Sequence, residues 1–213
     1  MAVRAFDLIS EAEARTIEPG STVELAPGGH VTPLAWDTLR ARRVTVVPKG
    51  SVDAALPADL APTSPVIRVA IGSDHTGVAL KSLLIDHLRK QGKSVNDVGT
   101  NSDAPVDYPD IAGLVARAVA RHESDAGIVI DGAGLGSAIA ANKVRGVRAT
   151  MCTTPTLARY AREHNGANVL ALGSTLLDAA SAKEIVDIWL TTPTREPRYL
   201  RRLLKIRRLE ERF

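Results

Sequence analysis

Four stretches of the chain bring together residue types able to do chemistry. The first is Gly72-Ser73-Asp74-His75-Thr76-Gly77. A paired acid and imidazole beside glycines could hold a substrate hydroxyl or a phosphate. The plainer role is Asp74 as a helix N-cap and His75 as a solvated turn residue. The second is Asp131-Gly132-Ala133-Gly134-Leu135-Gly136, where glycines let backbone amides approach an anion at a helix start. Asp131 there could act as a base or as the N-cap of the next helix. The third is Arg162-Glu163-His164-Asn165. Its histidine could exchange protons, or only cap a helix C-terminus. The fourth is the pair Arg198 and Arg202, four apart and so on one face of a helix, suited to gripping a phosphate. Asp107-Tyr108-Pro109 reads as a turn opening a helix. Cys152, alone beside a strand, reads as a small buried apolar residue rather than a nucleophile.

These stretches need elements to position them, and the pattern from Val66 onward supplies five strands alternating with helices. The strands are expected over Val66–Ile71, Ser94–Val98, Gly127–Ile130, Val147–Cys152 and Asn168–Leu172. The helices are expected over Gly77–Gln91, Ile111–Arg121, Ser137–Lys143, Pro155–His164 and Ala179–Leu190. Short apolar strands alternating with helices predict an α/β fold, a Rossmann-like, doubly wound five-stranded parallel sheet. Ligands of such sheets bind beyond the carboxyl ends of the strands, and the first two stretches fall there. The glycines after the third strand follow G-x-G-x-G, not the dinucleotide G-x-G-x-x-G. No acid for a ribose lies in Thr150–Arg162, which argues against nicotinamide.

Ahead of this domain, residues 1–56 read as a small N-terminal appendage and residues 57–65, with three prolines, as a linker to the domain over 66–213. In the appendage, Ser21–Leu25 and Arg43–Val47 are expected as strands and Pro33–Arg42 as a helix opened by Thr32-Pro33. About 56 residues is marginal for an independent core, so docking on the main domain or on a partner is expected.

The 213 residues are 45% apolar and 24% charged, a globular balance. No run reaches the roughly 18 apolar residues of a membrane span, and MAVRAFDLISEAEART lacks the apolar centre of a secretory signal. One cysteine excludes an internal disulfide framework and a thiolate zinc site. A cytoplasmic protein without membrane contact is expected. Residues 195–213 hold eight Arg/Lys against three Glu, +5 of a net +3, leaving −2 elsewhere. With 3% aromatics there is little to stack bases on. The basic tail therefore points to small phosphates, not nucleic acid.

Taken in order, IGSDHTG (71–77), DVGT (97–100), DYPD (107–110), GLGSAIAANKVRGVRA (134–149) and AREHNGANVLALGS (161–174) resemble the ribose-5-phosphate isomerase B / galactose-6-phosphate isomerase family. The resemblance implies aldose–ketose isomerisation of a sugar phosphate through a cis-enediolate, without metal or cofactor. It implies a homodimer, or a dimer of dimers, with shared active sites. By position it assigns Asp74 and His75 to the sugar and its phosphate, Tyr108 to the site wall, and His164 with Asn165 to ring opening. It assigns Arg198 and Arg202 to the phosphate, and the backbone of Gly132, Ala133, Gly134, Leu135 and Gly136 to the enediolate oxygen. The chain departs from the family at four points. Asp131 stands where many members carry a cysteine base, Ala133 replaces a threonine, Thr175 an arginine, and Glu196-Pro197-Arg198-Tyr199 a GGRH motif. With the family's activity the resemblance then implies a carboxylate base, on a sugar phosphate that need not be ribose 5-phosphate. The alternative is a non-catalytic sugar-phosphate-binding or scaffold protein derived from the same fold. Which it is turns on whether Asp131 faces the ligand or the amides of its own helix. GGHVTPLAWDTLRARRVTVV (28–47) looks like a segment of bacterial microcompartment proteins, implying a shell or enzyme-cluster partner for the appendage.

Overall fold

In the computed structural model, residues 4–49 and 60–211 are described. The chain divides into two compact units, Met1–Leu56 and Pro57–Phe213. The first unit runs β1 (Ala5–Ile9), α1 (Glu11–Thr16), β2 (Thr22–Val31), α2 (Pro33–Ala41) and β3 (Thr45–Pro48), with parallel strands in the order β1-β2-β3. Phe6, Ile9, Ala14, Val23, Val31, Ala35 and Leu39 form its own core. β2, α2 and β3 correspond to expected elements, but β1 and α1 were not foreseen. Their signal was a capping box. Ser10 Oγ accepts from the Glu13 amide and the Glu13 carboxylate accepts from the Ser10 amide at 2.7 Å. That pairing satisfies the orphan amides of a helix only six residues long.

The second unit contains β4 (Arg68–Ser73), a 3-10 turn (His75–Gly77), α3 (Val78–Lys90), β5 (Ser94–Asp97), α4 (Tyr108–Ala120) and β6 (Ala126–Asp131). It continues with α5 (Leu135–Ala141), β7 (Ala149–Met151), α6 (Pro155–Glu163), β8 (Val169–Gly173), α7 (Ala179–Thr191) and α8 (Pro197–Glu210). The sheet is parallel in the order β5-β4-β6-β8-β7. Alternate residues of the strands face opposite layers. Val69, Ile71, Ile128, Ile130, Leu170 and Leu172 pack against α3, α6 and α7. Ala70, Val129, Val169 and Ala171 pack against α4 and α5. β6 is buried over its whole length, as a strand covered on both faces must be.

The linker expectation changes here. Residues 57–59 lie outside the described residues, but 60–65 belong to the second unit. Leu60 is buried, its carbonyl accepts from Arg148, and the Thr63 carbonyl accepts from Arg162. Two guanidinium groups thus hold a proline-rich stretch that carries no apolar periodicity. Among the described residues no helix is long and apolar enough to cross a membrane.

Candidate active site

The chain leaves β4 toward β5 on one side and later places β6 on the other, so the strand order switches between β4 and β6. A crevice opens beyond their carboxyl ends at such a switch. Asp74 follows β4. Its backbone amide donates to the Ile130 carbonyl at 3.0 Å, joining the turn to β6. Its Oδ1 accepts from the Thr76 amide at 2.9 Å and the Thr76 hydroxyl at 2.6 Å, so Asp74 is the N-cap of the 3-10 turn. His75 Nδ1 accepts from the Val106 amide at 3.3 Å. In the neutral ring the proton then sits on Nε2, which is left as a donor. That bond also ties the 99–107 loop, which leads into Tyr108, to the end of β4.

Asp131 ends β6, almost fully buried. Its Oδ1 accepts from the amides of Ala133, at 2.8 Å, and Gly134; its Oδ2 accepts from the Ser137 amide at 2.9 Å. The carboxylate is turned into its own loop and caps α5. Two of the amides expected to face a substrate oxygen, those of Ala133 and Gly134, are therefore occupied, and this corrects the expectation for them. The physical reason is proximity: three donors converge on the acid that starts the turn. The amides of Leu135 and Gly136 have no partner among the described residues. Oδ2 keeps one lone pair open.

The loop is held tightly. Gly134 adopts φ 76°, and a Cβ there would lie 2.9 Å from the Leu172 carbonyl carbon, so glycine is required. Thr175, standing where the family resemblance places an arginine, donates its hydroxyl to the Gly132 carbonyl at 2.6 Å. The Ser174 amide donates to the Asp131 carbonyl at 2.8 Å. Tyr108 lies on Gly136, where a Cβ would fall 2.5 Å from the ring. Burial pushes the Cys152 thiol up, consistent with a packed apolar residue and not a thiolate.

The remaining expected residues form a separate group where α6 ends and α8 begins. The His164 ring stacks on Tyr160 at 4.6 Å and meets Tyr199 at 4.5 Å. Arg198 lies 4.6 Å over the Tyr199 ring and donates to its hydroxyl at 2.7 Å. The Arg202 guanidinium is 5.7 Å from the same ring. Asn165 donates to the Tyr160 carbonyl at 3.0 Å. The structure thus brings Asp74, His75, Tyr108 and Asp131–Gly136 together at the strand ends. It brings His164, Arg198 and Arg202 together around Tyr199, with Asn165 bonded to the Tyr160 carbonyl beside them. Among the described residues no hydrogen bond or ring contact of the second group reaches the first.

Tyr160, Tyr199, Thr76, Ser174 and Lys81 escaped the sequence reading. Tyr160 lies four residues before His164, a helical neighbour spacing that could have revealed it. Lys81 is buried and donates to Asp97 Oδ1 at 2.5 Å, to the Gly99 carbonyl and to Asn101 Oδ1 at 2.6 Å. It anchors the start of the loop that leads to Tyr108.

A doubly wound α/β unit with an acid-centred amide loop at its switch point defines a class of proteins that bind small metabolites beyond the strand ends. The comparisons narrow the class. The Ribose/Galactose Isomerase family model matches residues 69–206, and the chain belongs to that family. It is 44% identical over 145 residues to ribose-5-phosphate isomerase B of Escherichia coli (strain K12), covering 68% of this chain and 97% of the relative. Ribose-5-phosphate isomerase B of Clostridium thermocellum is similar in structure, with TM-score 0.68 and 47% identity over 68% of this chain and 99% of that one. The Mycoplasma genitalium enzyme with bound ribulose 5-phosphate gives TM-score 0.67 and 41% identity over 69% and 98%. The first unit lies outside the residues matched by the family model.

Proposed function

We propose that the chain interconverts an aldose phosphate and a ketose phosphate through a cis-enediolate, with Asp131 as the base. What supports this reading is the match to an isomerase family, with the amides of Leu135 and Gly136 left without a partner among the described residues at the strand ends; Asp131, whose carboxylate faces the amides of its own loop, would act through the Oδ2 lone pair that the Ser137 amide leaves. Oδ2 takes the proton from the carbon next to the carbonyl. The C–H electrons form the C=C bond, and the carbonyl electrons move onto oxygen. The two amides receive that oxyanion, as preorganised donors do most of the work in such steps. A proton passes from the hydroxyl of the deprotonated carbon to that oxyanion, and Asp131 returns its own proton to the former carbonyl carbon as the C=C electrons form the new C–H bond and the hydroxyl carbon becomes the new carbonyl. Arg198, Arg202 and His75 hold the phosphate, and His164 with Asp74 assists ring opening. Because His164 and the arginines stand apart from Asp131 within one chain, a homodimer supplies them from the second copy.

The three amide bonds on Asp131 favour a second reading, a sugar-phosphate-binding protein in which this acid is only a cap. Proton NMR in D2O with four- to six-carbon aldose and ketose phosphates separates the two. Deuterium entering at C2 of one sugar, lost in Asp131→Asn and regained in Asp131→Cys, supports the isomerase. Saturable binding without exchange selects the second reading.

A further inference from the structure

Three hydroxyl side chains, those of Thr76, Ser174 and Thr175, gather at the strand ends around Gly132, the residue that follows Asp131. A Cβ placed on Gly132 would lie 3.8 Å from Thr76 Oγ1. Thr175 Oγ1 is 2.6 Å from the Gly132 carbonyl oxygen. Ser174 Oγ is 3.5 Å from Thr76 Oγ1, across the gap between the turn after β4 and the loop after β8. Thr76 and Thr175 are exposed, and Ser174 is half-buried.

The partner of each hydroxyl fixes where its proton goes. Thr76 donates to Asp74 Oδ1 at 2.6 Å, and an ionised carboxylate has no proton to give in return. Thr175 donates to the Gly132 carbonyl, which is also an acceptor only. Ser174 meets Thr76 as the donor, because the Thr76 proton is already spent. A hydroxyl carries one proton and two lone pairs. Thr76 therefore keeps one lone pair open and Thr175 keeps both, and neither has a proton left to offer. Such a corner sorts its ligands. It accepts from a sugar hydroxyl, and it repels phosphate oxygens, which bring only lone pairs and negative charge. The Asp74 and Asp131 carboxylates beside it strengthen that repulsion. Thr175 stands where the family resemblance places an arginine, so a cation has here given way to an acceptor.

We propose that Thr76 and Thr175 are specificity-determining residues that select a sugar phosphate with a free hydroxyl on C3. The inference rests on the isomerase reading, in which Asp131 takes the proton from C2. The two hydroxyls flank Gly132, the next residue, and so meet the carbon that follows C2 on the side away from the carbonyl. The C3 hydroxyl donates to them, and the phosphate at the far end of the sugar is left to Arg198 and Arg202. A sugar without that hydroxyl displaces water from both acceptors and gives them no donor, which is how a polar site rejects a deoxy analogue.

The D2O exchange assay on the full chain tests the proposal, with the sugar phosphate that exchanges and its 3-deoxy analogue. The wild-type chain should favour the parent by about tenfold or more in kcat/KM. Thr76→Val and Thr175→Val keep the side-chain shape and remove the hydroxyl. Each should lower kcat/KM for the parent and bring the ratio of the two sugars toward one, while Thr76→Ser retains it. A purely structural role for the hydroxyls would slow both sugars alike and leave the ratio where it was. A wild-type ratio near one, or an unchanged ratio in both valine variants, would overturn the proposal. If the wild-type chain exchanges no sugar phosphate, the isomerase reading fails by itself. Calorimetric titration with the four- to six-carbon sugar phosphates, each beside its 3-deoxy analogue, then reads the same ratio in Kd. A preference for the parent that the valine variants lose supports the selection of the C3 hydroxyl; equal affinities, or no binding at all, overturn it.

Discussion

Asp131 lies buried at the end of a central strand, its oxygens fixed by three backbone amides. Arg202 stands exposed on a helix, with the Tyr199 ring 5.7 Å from its guanidinium. The first group of candidate residues is locked before any ligand arrives. The second is a set of long side chains around one aromatic ring. Locked donors near a developing charge suit the chemical step. Adaptable cations suit the capture of a phosphate that does not react. On the proposed reading, turnover belongs to the strand ends and affinity to the helices, and each assignment can be broken.

The largest effect should come from the locked group. Asp131→Asn should lower kcat by at least about 100-fold, the low end for a positioned base. Turnover of whichever sugar phosphate exchanges deuterium measures this. If turnover survives and only Tm falls, Asp131 is a cap, worth about 1 kcal/mol, and the strand-end group is structural.

The helix group should answer in KM. Arg202→Ala should raise KM by roughly tenfold or more, since a hydrogen bond from a charged group is worth about 1.5–3 kcal/mol, with kcat little changed. Mixing Asp131→Asn chains with Arg202→Ala chains sharpens the point. If the two groups meet across a homodimer, hybrids carry one site with both groups intact, and at substrate well below KM the mixture should exceed the sum of the separate variants. A mixture no more active than that sum would place both groups of each site in a single chain.

Lys81 connects the comparison to stability. Its ammonium holds Asp97, Gly99 and Asn101. Lys81→Met should cost about 2 kcal/mol, less than the loss of a fully buried pair because Asp97 is partly exposed. Thermal unfolding should shift down by roughly 4–8 °C for a chain of this size. An unchanged Tm would mean that the loop leading to Tyr108 is held elsewhere.

The same contrast explains what could be read from the sequence. The strands of the second unit were legible: β4, β6 and β8 because strands buried on both faces write themselves as apolar runs, and the mostly exposed edge strand β5 from its place in the alternation with helices. Asp74, Tyr108 and Asp131 could be placed at strand ends for that reason. The direction of the Asp131 carboxylate was not legible, since a cap and a base occupy the same position in sequence. The aromatic partners of His164 were hidden because Tyr199 comes 35 residues later and only folding stacks it there. β1 and α1 were missed because each is short, and their pairing with β2 and α2 is tertiary. The tail of the expected linker was misread because its partners, Arg148 and Arg162, lie far along the chain.

The smallest effect lies in the helix group. Tyr199→Phe keeps the ring that His164, Arg198 and Arg202 surround and removes only the hydroxyl that Arg198 donates to at 2.7 Å. If the group grips by adaptable contacts, Arg198 can turn to water or to the phosphate itself. The loss should then be about 1 kcal/mol, a roughly fivefold rise in KM, measured under the same conditions as Arg202→Ala. A rise as large as that of Arg202→Ala would show that the guanidinium must be aimed by the phenol. The helix group would then be preorganised like the strand ends, and the division between a locked catalytic part and an adaptable gripping part would fail.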